Sequence, residues 1–420
     1  MRYTYPDYYS EFSCIGNKCS DTCCAGWMVD IDDETAQVYK SMPLPIGKKL
    51  REKLRGESGG YYFELDKKKR CPFLNKDNLC DIILALGEGG LSVTCTEYPR
   101  FYADTPIYEQ VDLTLSCPEA ARIFFSKKGS IKYITEDIKE DNEEDDGLFG
   151  EDPFGHGKNP KNDRQFKAEI EESGMDKNEL KCLLKLFSVR EKCFDIIQYN
   201  KENVTDLWKN IMLLILNEYE ENMPDYEDFI DITSDYEDES ILSNIKTMEV
   251  VNPLWKKYMD SINQNKKEVS LNIKNLLLKD LHYKDSSDDF PFKGVKDDFP
   301  FKGVKDDFTF KGSKDDFTFK GSKDDFTFKG SKDDSFLNCS LERFISYLLF
   351  RYLIDIFYHK SVKRTLSFIR RCLRILLLLL GESVLFKEDK VIDMSIMEER
   401  ARIFSRQIEH SDRNVEILLK

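Results

Sequence analysis

Four cysteines fall within eleven residues, at Cys14, Cys19, Cys23 and Cys24, in the run Cys-Ile-Gly-Asn-Lys-Cys-Ser-Asp-Thr-Cys-Cys. Cys71, Cys80, Cys95 and Cys117 follow, so eight of the twelve cysteines stand in the first 117 residues. Thiolates are soft ligands suited to iron–sulfur clusters and zinc. In a small unit, binding such a metal is itself folding free energy, and that limits what the first quarter of the chain can become. Closed zinc sites are commonly built on paired Cys-x-x-Cys knuckles, and no such knuckle occurs here. Adjacent Cys23 and Cys24 are poorly placed to serve one tetrahedral ion together. The spacing therefore leans towards an iron–sulfur cluster, [4Fe-4S] in kind, with zinc as the alternative. Eight thiols suffice for one cluster with ligands to spare, or for two zinc ions. Structural and catalytic roles for the metal stand level at this point. Proline follows Cys71 and Cys117, fixing the backbone beside the sulfur.

Charge and hydropathy narrow the setting. Met1–Phe12 has no basic stretch followed by an apolar one, so no secretory leader is expected. No run reaches the ~18 uninterrupted apolar residues of a membrane span. Phe344–Phe357 is broken by Arg351 and Asp355, and Ile375–Leu380 is six residues long. A cytosolic protein is expected, and there closely spaced cysteines read as metal ligands rather than disulfides. The alternative of a secreted disulfide scaffold predicts neither metal nor free thiols. A net charge of -15 and a pI of about 5.0 argue against a nucleic-acid binder, which needs clustered Lys and Arg. An acidic surface suits a basic or lysine-bearing partner.

The expected fold class is mainly α: a small irregular cysteine-rich metal-binding domain followed by an interrupted helical domain. The cysteine domain covers residues 1–126, with a helix from a cap at Asp33 to about Tyr39, a helical turn at Leu50–Leu54, a short strand at Tyr61–Leu65 and a glycine loop at Gly87–Gly90. Residues 127–163 read as an acidic, Gly/Pro-rich linker. The helical domain begins over 164–284. Leu180, Leu183, Leu184 and Phe187 keep helical spacing, Cys182 and Cys193 share a face as core thiols, and Leu207–Tyr219 starts from Asn203–Thr205. Glu220–Glu239 reads as an acidic loop, with short helices at Ile241–Met248 and Leu254–Ile262. Residues 285–335 hold a tandem repeat of nine residues, Asp-Asp-Phe-Pro/Thr-Phe-Lys-Gly-Val/Ser-Lys, in five near-identical units from Asp288 to Lys332. One glycine per unit falls short of the paired glycines of calcium-binding nonapeptide solenoids, so an unstructured insertion is expected. The helical domain resumes over 336–420. One helix carries Leu341 to Ile356, a second carries Val362 to Leu380 and ends at Gly381, and a third starts from a capping box at Ser395–Glu398 and runs to Glu409.

Familiar catalytic motifs fail. A radical S-adenosylmethionine pattern, Cys-x-x-x-Cys-x-x-Cys, begins at Cys19 and Cys23 but meets Gly26 at its third position. Gly87–Gly90 lacks the strand–turn–helix setting of a dinucleotide fold. His156, His282, His359 and His410 are scattered. His410 draws attention because it lies at a helix end, where imidazole can titrate near neutral pH.

Taken together, Cys14-x4-Cys19-x3-Cys23-Cys24-x2-Trp27, Cys71-Pro-Phe-Leu with Cys80, Thr94-Cys95-x2-Tyr98-Pro99-Arg100, Cys117-Pro118 and the ending Ser405-Arg-Gln-Ile-Glu-His-Ser-Asp-x-Asn414 resemble the bacterial flagellin lysine-N-methylase family. The cysteine part is also similar to a wider group of zinc- or iron-chelating proteins. The resemblance omits the nine-residue repeat, which is a departure. It implies methyl transfer from S-adenosylmethionine to lysine side chains of flagellin, and an iron–sulfur cluster on the cysteines. It assigns no base; Tyr98, Glu409 and His410 are candidates, and each also reads as structural. The competing reading is a non-enzymatic metal-binding module whose helical domain docks a partner.

Overall fold

The protein is seen in a computed structural model. It describes residues 2–137, 174–221, 223, 226–278, 334–388 and 390–420, with 137, 278, 334 and 335 by backbone alone, and two backbone fragments at Asp289–Pro291 and Thr318–Lys320 that pair antiparallel. Most of the acidic linker, His156, His282 and the rest of the nine-residue repeat lie outside the described residues.

The chain opens with β1 (Arg2–Pro6) and then the thiol segment: β2 (Asp30–Ile31), α1 (Asp33–Ser41), α2 (Ile46–Lys53), β3 (Leu54–Arg55), β4 (Tyr61–Phe63), α3 (Asp81–Leu86) and α4 (Val93–Glu97). The hairpin β5 (Arg100–Thr105) and β6 (Tyr108–Leu113), helix α5 (Pro118–Ser126) and β7 (Tyr133–Asp137) follow. A four-stranded sheet has the order β5-β6-β1-β7. The N-terminal strand fills its middle, parallel to β6 with Arg2 beside Tyr108 and antiparallel to β7 with Tyr5 beside Ile134. Sequence reading foresaw no sheet here and took residues 133–137 as linker. A central strand is stabilised by partners distant in sequence, which local propensity does not reveal.

These first residues feed two cores. Ile31, Ala36, Tyr39, Leu50, Tyr61, Phe63, Phe73 and Ile82 form a small core of their own, against which Cys71 and Cys80 pack. Tyr5, Tyr8, Val111, Leu113, Ile123 and Phe124 instead join the main core of the helical body. That body contains α6 (Lys177–Gln198), α7 (Val204–Glu218), α8 (Tyr226–Ile230), α9 (Asp238–Ile245), α10 (Pro253–Gln264), α11 (Lys266–Leu278), α12 (Asp334–Tyr352), α13 (Asp355–His359), α14 (Val362–Ser383), α15 (Met394–Ile408) and α16 (Asp412–Leu418). Helices dominate, as the fold-class expectation had it. Among the described residues no helix is long and apolar enough to cross a membrane.

Helix ends follow local chemistry, sometimes one residue from where it was expected. Asp32, not Asp33, caps α1 by accepting the Thr35 amide at 2.8 Å. Asn203 caps α7 as foreseen, through the Asp206 amide at 2.9 Å. Asp393, not Ser395, caps α15, through the Ile396 amide. The run from Leu341 to Ile356 is two helices rather than one, with the break after Tyr352.

Helix α14 is buried nearly all round, with Leu366, Ile369, Cys372, Leu376 and Leu379 fully enclosed. Its polar side is enclosed too. Arg374 forks onto Asp238 at 2.7 and 2.8 Å, and Arg370 and Arg371 share Glu237. So the acidic stretch Glu220–Glu239 is not merely a solvated loop; its end supplies counter-charges to a core helix. Gly381 does not end α14, which runs on to Ser383. The glycine is there because α11 presses close: a Cβ would stand 2.9 Å from both the Ile273 Cγ1 and the Val269 carbonyl oxygen. Gly381→Ala is expected to destabilise the protein by about 1–3 kcal/mol through overpacking. Denaturant titration reads this directly, and an unchanged midpoint would show that the two helices are free to part.

Candidate functional site

The thiol segment is folded by backbone pairing. The Cys71 amide donates to the Cys24 carbonyl at 2.7 Å, the Gly26 amide to the Lys69 carbonyl at 2.8 Å, and Ala25 bridges Arg70. These bonds set Cys24 opposite Cys71. A second bridge joins Leu74 to Cys80, closed by an Asx turn in which the Asn75 side chain accepts from Asp77 and Leu79. Cys80 then takes the N-cap position of α3 and Cys117 that of α5, neither making a side-chain capping hydrogen bond, each at a helix start where amide donors have no helical partner. The neighbouring amides of Ile83 and Ile82 at Cys80, of Ala120 and Glu119 at Cys117, of Phe73 at Cys71 and of Asp21 at Cys19 each favour the thiolate form.

All twelve cysteines are free thiols. Cys24, Cys80 and Cys95 are close enough to raise the pKa of Cys71, Cys24 also raises Cys80 and Cys95, and Cys14 and Cys19 raise Cys117. Cys23 lies between the two sets, its sulfur 3.9 Å from that of Cys24, and it senses both Cys95 and Cys14. Burial, then mutual charge, pushes Cys71 up to about 12; burial likewise takes Cys95 and Cys117 up to about 11. The Cys23 and Cys24 thiols meet in a sulfur–sulfur hydrogen bond in which either can be the donor. That bond, with Thr22 and Arg70 nearby, brings Cys24 down to about 7 against the pull of burial. Among the described residues no three His, Cys, Asp or Glu side chains stand at metal-coordinating geometry. The donor set nevertheless has the chemistry of a thiolate site: soft sulfurs, none in a disulfide, several beside backbone amides that favour the thiolate.

Helix α15 and the residues after it meet this segment. Arg406 donates to Asp21 at 2.6 Å, to the Thr22 carbonyl at 3.2 Å and to the Ala25 carbonyl, and Arg402 donates to the same Asp21 oxygen at 2.5 Å. The His410 Nε2 lies 2.6 Å from Ser116 Oγ, which also meets the Tyr98 hydroxyl at 3.0 Å. The Trp27 ring packs on His410 at 4.9 Å. Burial holds His410 down at about 4, so its imidazole is neutral at neutral pH.

One turn deeper, the Glu409 side chain is buried in a polar network. Tyr347 and Tyr352 donate to one oxygen at 2.7 and 2.9 Å, Thr114 donates to the other at 3.0 Å together with Ser405, and Arg351 pairs at 3.4 Å. Burial raises the Glu409 pKa, but Arg351 and these hydroxyls outweigh it and the net shift is downward. Arg351 also lies over the Phe101 ring at 3.6 Å. Asp112, beside this network, accepts from the Tyr8 hydroxyl and the Leu113 amide, yet burial carries it from 3.8 up to about 7. Of the residues singled out from sequence, the structure gathers Tyr98, Glu409 and His410 at one junction. It adds Asp21, Asp112, Thr114, Arg351, Arg402 and Arg406, which sequence reading missed. A lone arginine in the apolar run Phe344–Phe357 was the available signal, since a buried cation requires a buried partner.

Fold and site together define a helical protein that holds a cluster of free thiols against its C-terminal helices. Over 122 residues, 28% of this chain, it is 30% identical to the flagellar biosynthetic protein FliU of Salmonella muenchen, covering 72% of that protein. Over the same length it is 30% identical to the lysine-N-methylases of Salmonella typhimurium and Salmonella choleraesuis, spanning only 30% of each. No family model and no solved structure matches the chain. The chain belongs to the flagellin lysine-N-methylase family.

Two predictions follow from the buried network. Glu409→Gln leaves Arg351 uncompensated and is expected to cost about 3–5 kcal/mol of stability; a denaturation midpoint like that of the parent would mean the pair is solvated in solution. Asp112 holds its proton in the native state to about pH 7, whereas the unfolded carboxyl releases it near 3.8. The native state is thus penalised increasingly as pH rises between those values. Asp112→Asn removes the penalty, so its thermal midpoint should gain on the parent's as pH rises through that window. A difference that stays flat with pH refutes this.

Proposed function

We propose that this chain is a protein lysine N-methyltransferase that moves methyl groups from S-adenosylmethionine to lysine side chains of flagellin, with an iron–sulfur cluster on its N-terminal cysteines. One observation carries the reading: the 122-residue likeness to proteins named lysine-N-methylase and flagellar biosynthetic protein. In such a transfer the lysine amine attacks the methyl carbon in line with the sulfonium. The sulfur–methyl bond breaks, its electron pair returns to sulfur to leave S-adenosylhomocysteine, and the methylated amine sheds a proton. Alignment of the two reactants and a lowered lysine pKa supply most of the rate. The chain's net charge of -15 favours encounter with a cationic lysine segment. Glu409 is committed to Arg351, and Tyr98 and His410 to Ser116, so none of the three is assigned the proton.

The free thiols gathered in the first 117 residues support a thiolate-bound metal. Cys24, Cys71, Cys80 and Cys95 would hold a [4Fe-4S] cluster, with Cys14, Cys19, Cys23 and Cys117 beside them. When bound, such a cluster supplies an inorganic anchor for the loops and a one-electron redox centre; the methyl displacement itself draws on neither.

Protein purified without oxygen and incubated with methyl-labelled S-adenosylmethionine and flagellin is expected to place label on flagellin lysines. It should also contain iron and acid-labile sulfide. Metal-replete protein that neither binds the donor nor transfers label would overturn the enzymatic reading. Zinc without iron would overturn the cluster.

A further inference from the structure

The thiol pair Cys23–Cys24 is held from two sides. On one side Cys24 and Gly26 bond to the Lys69–Cys71 segment. On the other a single side chain, Arg406, reaches in from α15. Its three acceptors are the Asp21 carboxylate and the carbonyls of Thr22 and Ala25, so it brackets the pair, bonding the residue before Cys23 and the residue after Cys24. A guanidinium is a planar fork of donors and can fix several acceptors at once. Fixing those two carbonyls fixes the peptide planes between them, and with them the directions in which both sulfurs project. Arg406 is itself buried, and the next residue, Gln407, anchors α15 to the Val251 and Asn252 amides at 3.0 and 3.2 Å. The fork therefore extends from a fixed base.

Two neighbouring features are accounted for by this approach. Gly26 stands at a φ of +93°, and a Cβ there would lie 3.1 Å from the Arg406 Nη2. Arg402, one helical turn earlier, shares the Asp21 oxygen but touches no carbonyl of the loop. It reinforces the charge without setting the peptide planes.

We infer that Arg406 is a positioning residue for Cys23 and Cys24: from the far end of the sequence it sets the two sulfurs that join the early thiols to those of the 71–95 segment. Its consequence for metal retention rests on the thiolate-centre reading above; its effect on the loop does not.

The test uses the full chain as parent, Arg406→Gln, Arg406→Lys and Arg402→Gln, each checked by circular dichroism. In chelator-stripped protein, alkylation of individual cysteines is followed by peptide mass spectrometry. Arg406→Gln should alkylate at Cys23 and Cys24 severalfold faster than the parent, with buried Cys193 unmoved. Arg406→Lys, which keeps the charge but lacks the fork, should fall between, and Arg402→Gln should stay near the parent. In anaerobically purified protein, Arg406→Gln should lose metal to a competing chelator about 10- to 100-fold more readily, the usual effect of removing a group that orients metal ligands, and with a changed visible spectrum. Equal alkylation rates in parent and Arg406→Gln overturn the inference; if that variant does not fold, Arg406→Lys with parent-like rates does the same. A parent devoid of iron and zinc sinks the metal reading instead, and the alkylation rates still decide the role of Arg406.

Discussion

A carboxylate taken out of water without compensation costs several kcal/mol, and Glu409 is so placed. Its compensation comes from three regions: Tyr347, Arg351 and Tyr352 on α12, Ser405 on α15, and Thr114 just past β6. No one region can satisfy the charge. The sheet, the helix beneath it and the C-terminal helix must dock together before Glu409 can be buried, and every neighbouring contact inherits that register. Phe101, lying over Arg351, extends the same constraint to β5.

The ten residues from Ser405 to Asn414 then divide their work across the end of α15 and the start of α16. Ser405 and Glu409 face α12, and Arg406 faces the thiol loop. Gln407 and Asn414 between them hold the Glu249–Asn252 turn, the carboxamides pairing with its amides and with the Glu249 carbonyl. His410 packs on Trp27. Side chains spaced about 100° apart can meet several neighbours at once, which explains why a short polar stretch near the end of the chain is so fully engaged. The thiol segment and the C-terminal residues, remote in sequence, are one assembly in space.

The helical part of this fold was legible because it is written locally. Leu180, Leu183 and Phe187, and Val362, Leu366, Ile369, Leu373, Leu376 and Leu380, repeat at the helical period, and all of these residues are buried. The sheet was not, because β1 finds β6 and β7 more than a hundred residues away and its pattern of aromatic and polar residues suits a coil equally well. The acidic stretch before α9 was misread for a related reason: Glu237 and Asp238 look solvated until Arg370 and Arg374, distant in the chain, come to meet them. For the candidate site, ligand-type residues could be picked out by chemistry alone. The groups that orient them could not. Asp21 and Arg406 are ordinary surface residues by type, and only the tertiary fold brings them face to face.

Gly26 occupies the place where a third cysteine would complete a radical-type spacing after Cys19 and Cys23. The structure supplies a steric reason for the vacancy of that role. The backbone there is turned into the mirror-image region that L-residues avoid, and a Cβ would press on the Arg406 guanidinium at 3.1 Å. A cysteine at this position would have to strain the main chain and shift the arginine by a few tenths of an ångström. The loop has traded the option of a further sulfur for a closer embrace of its own backbone.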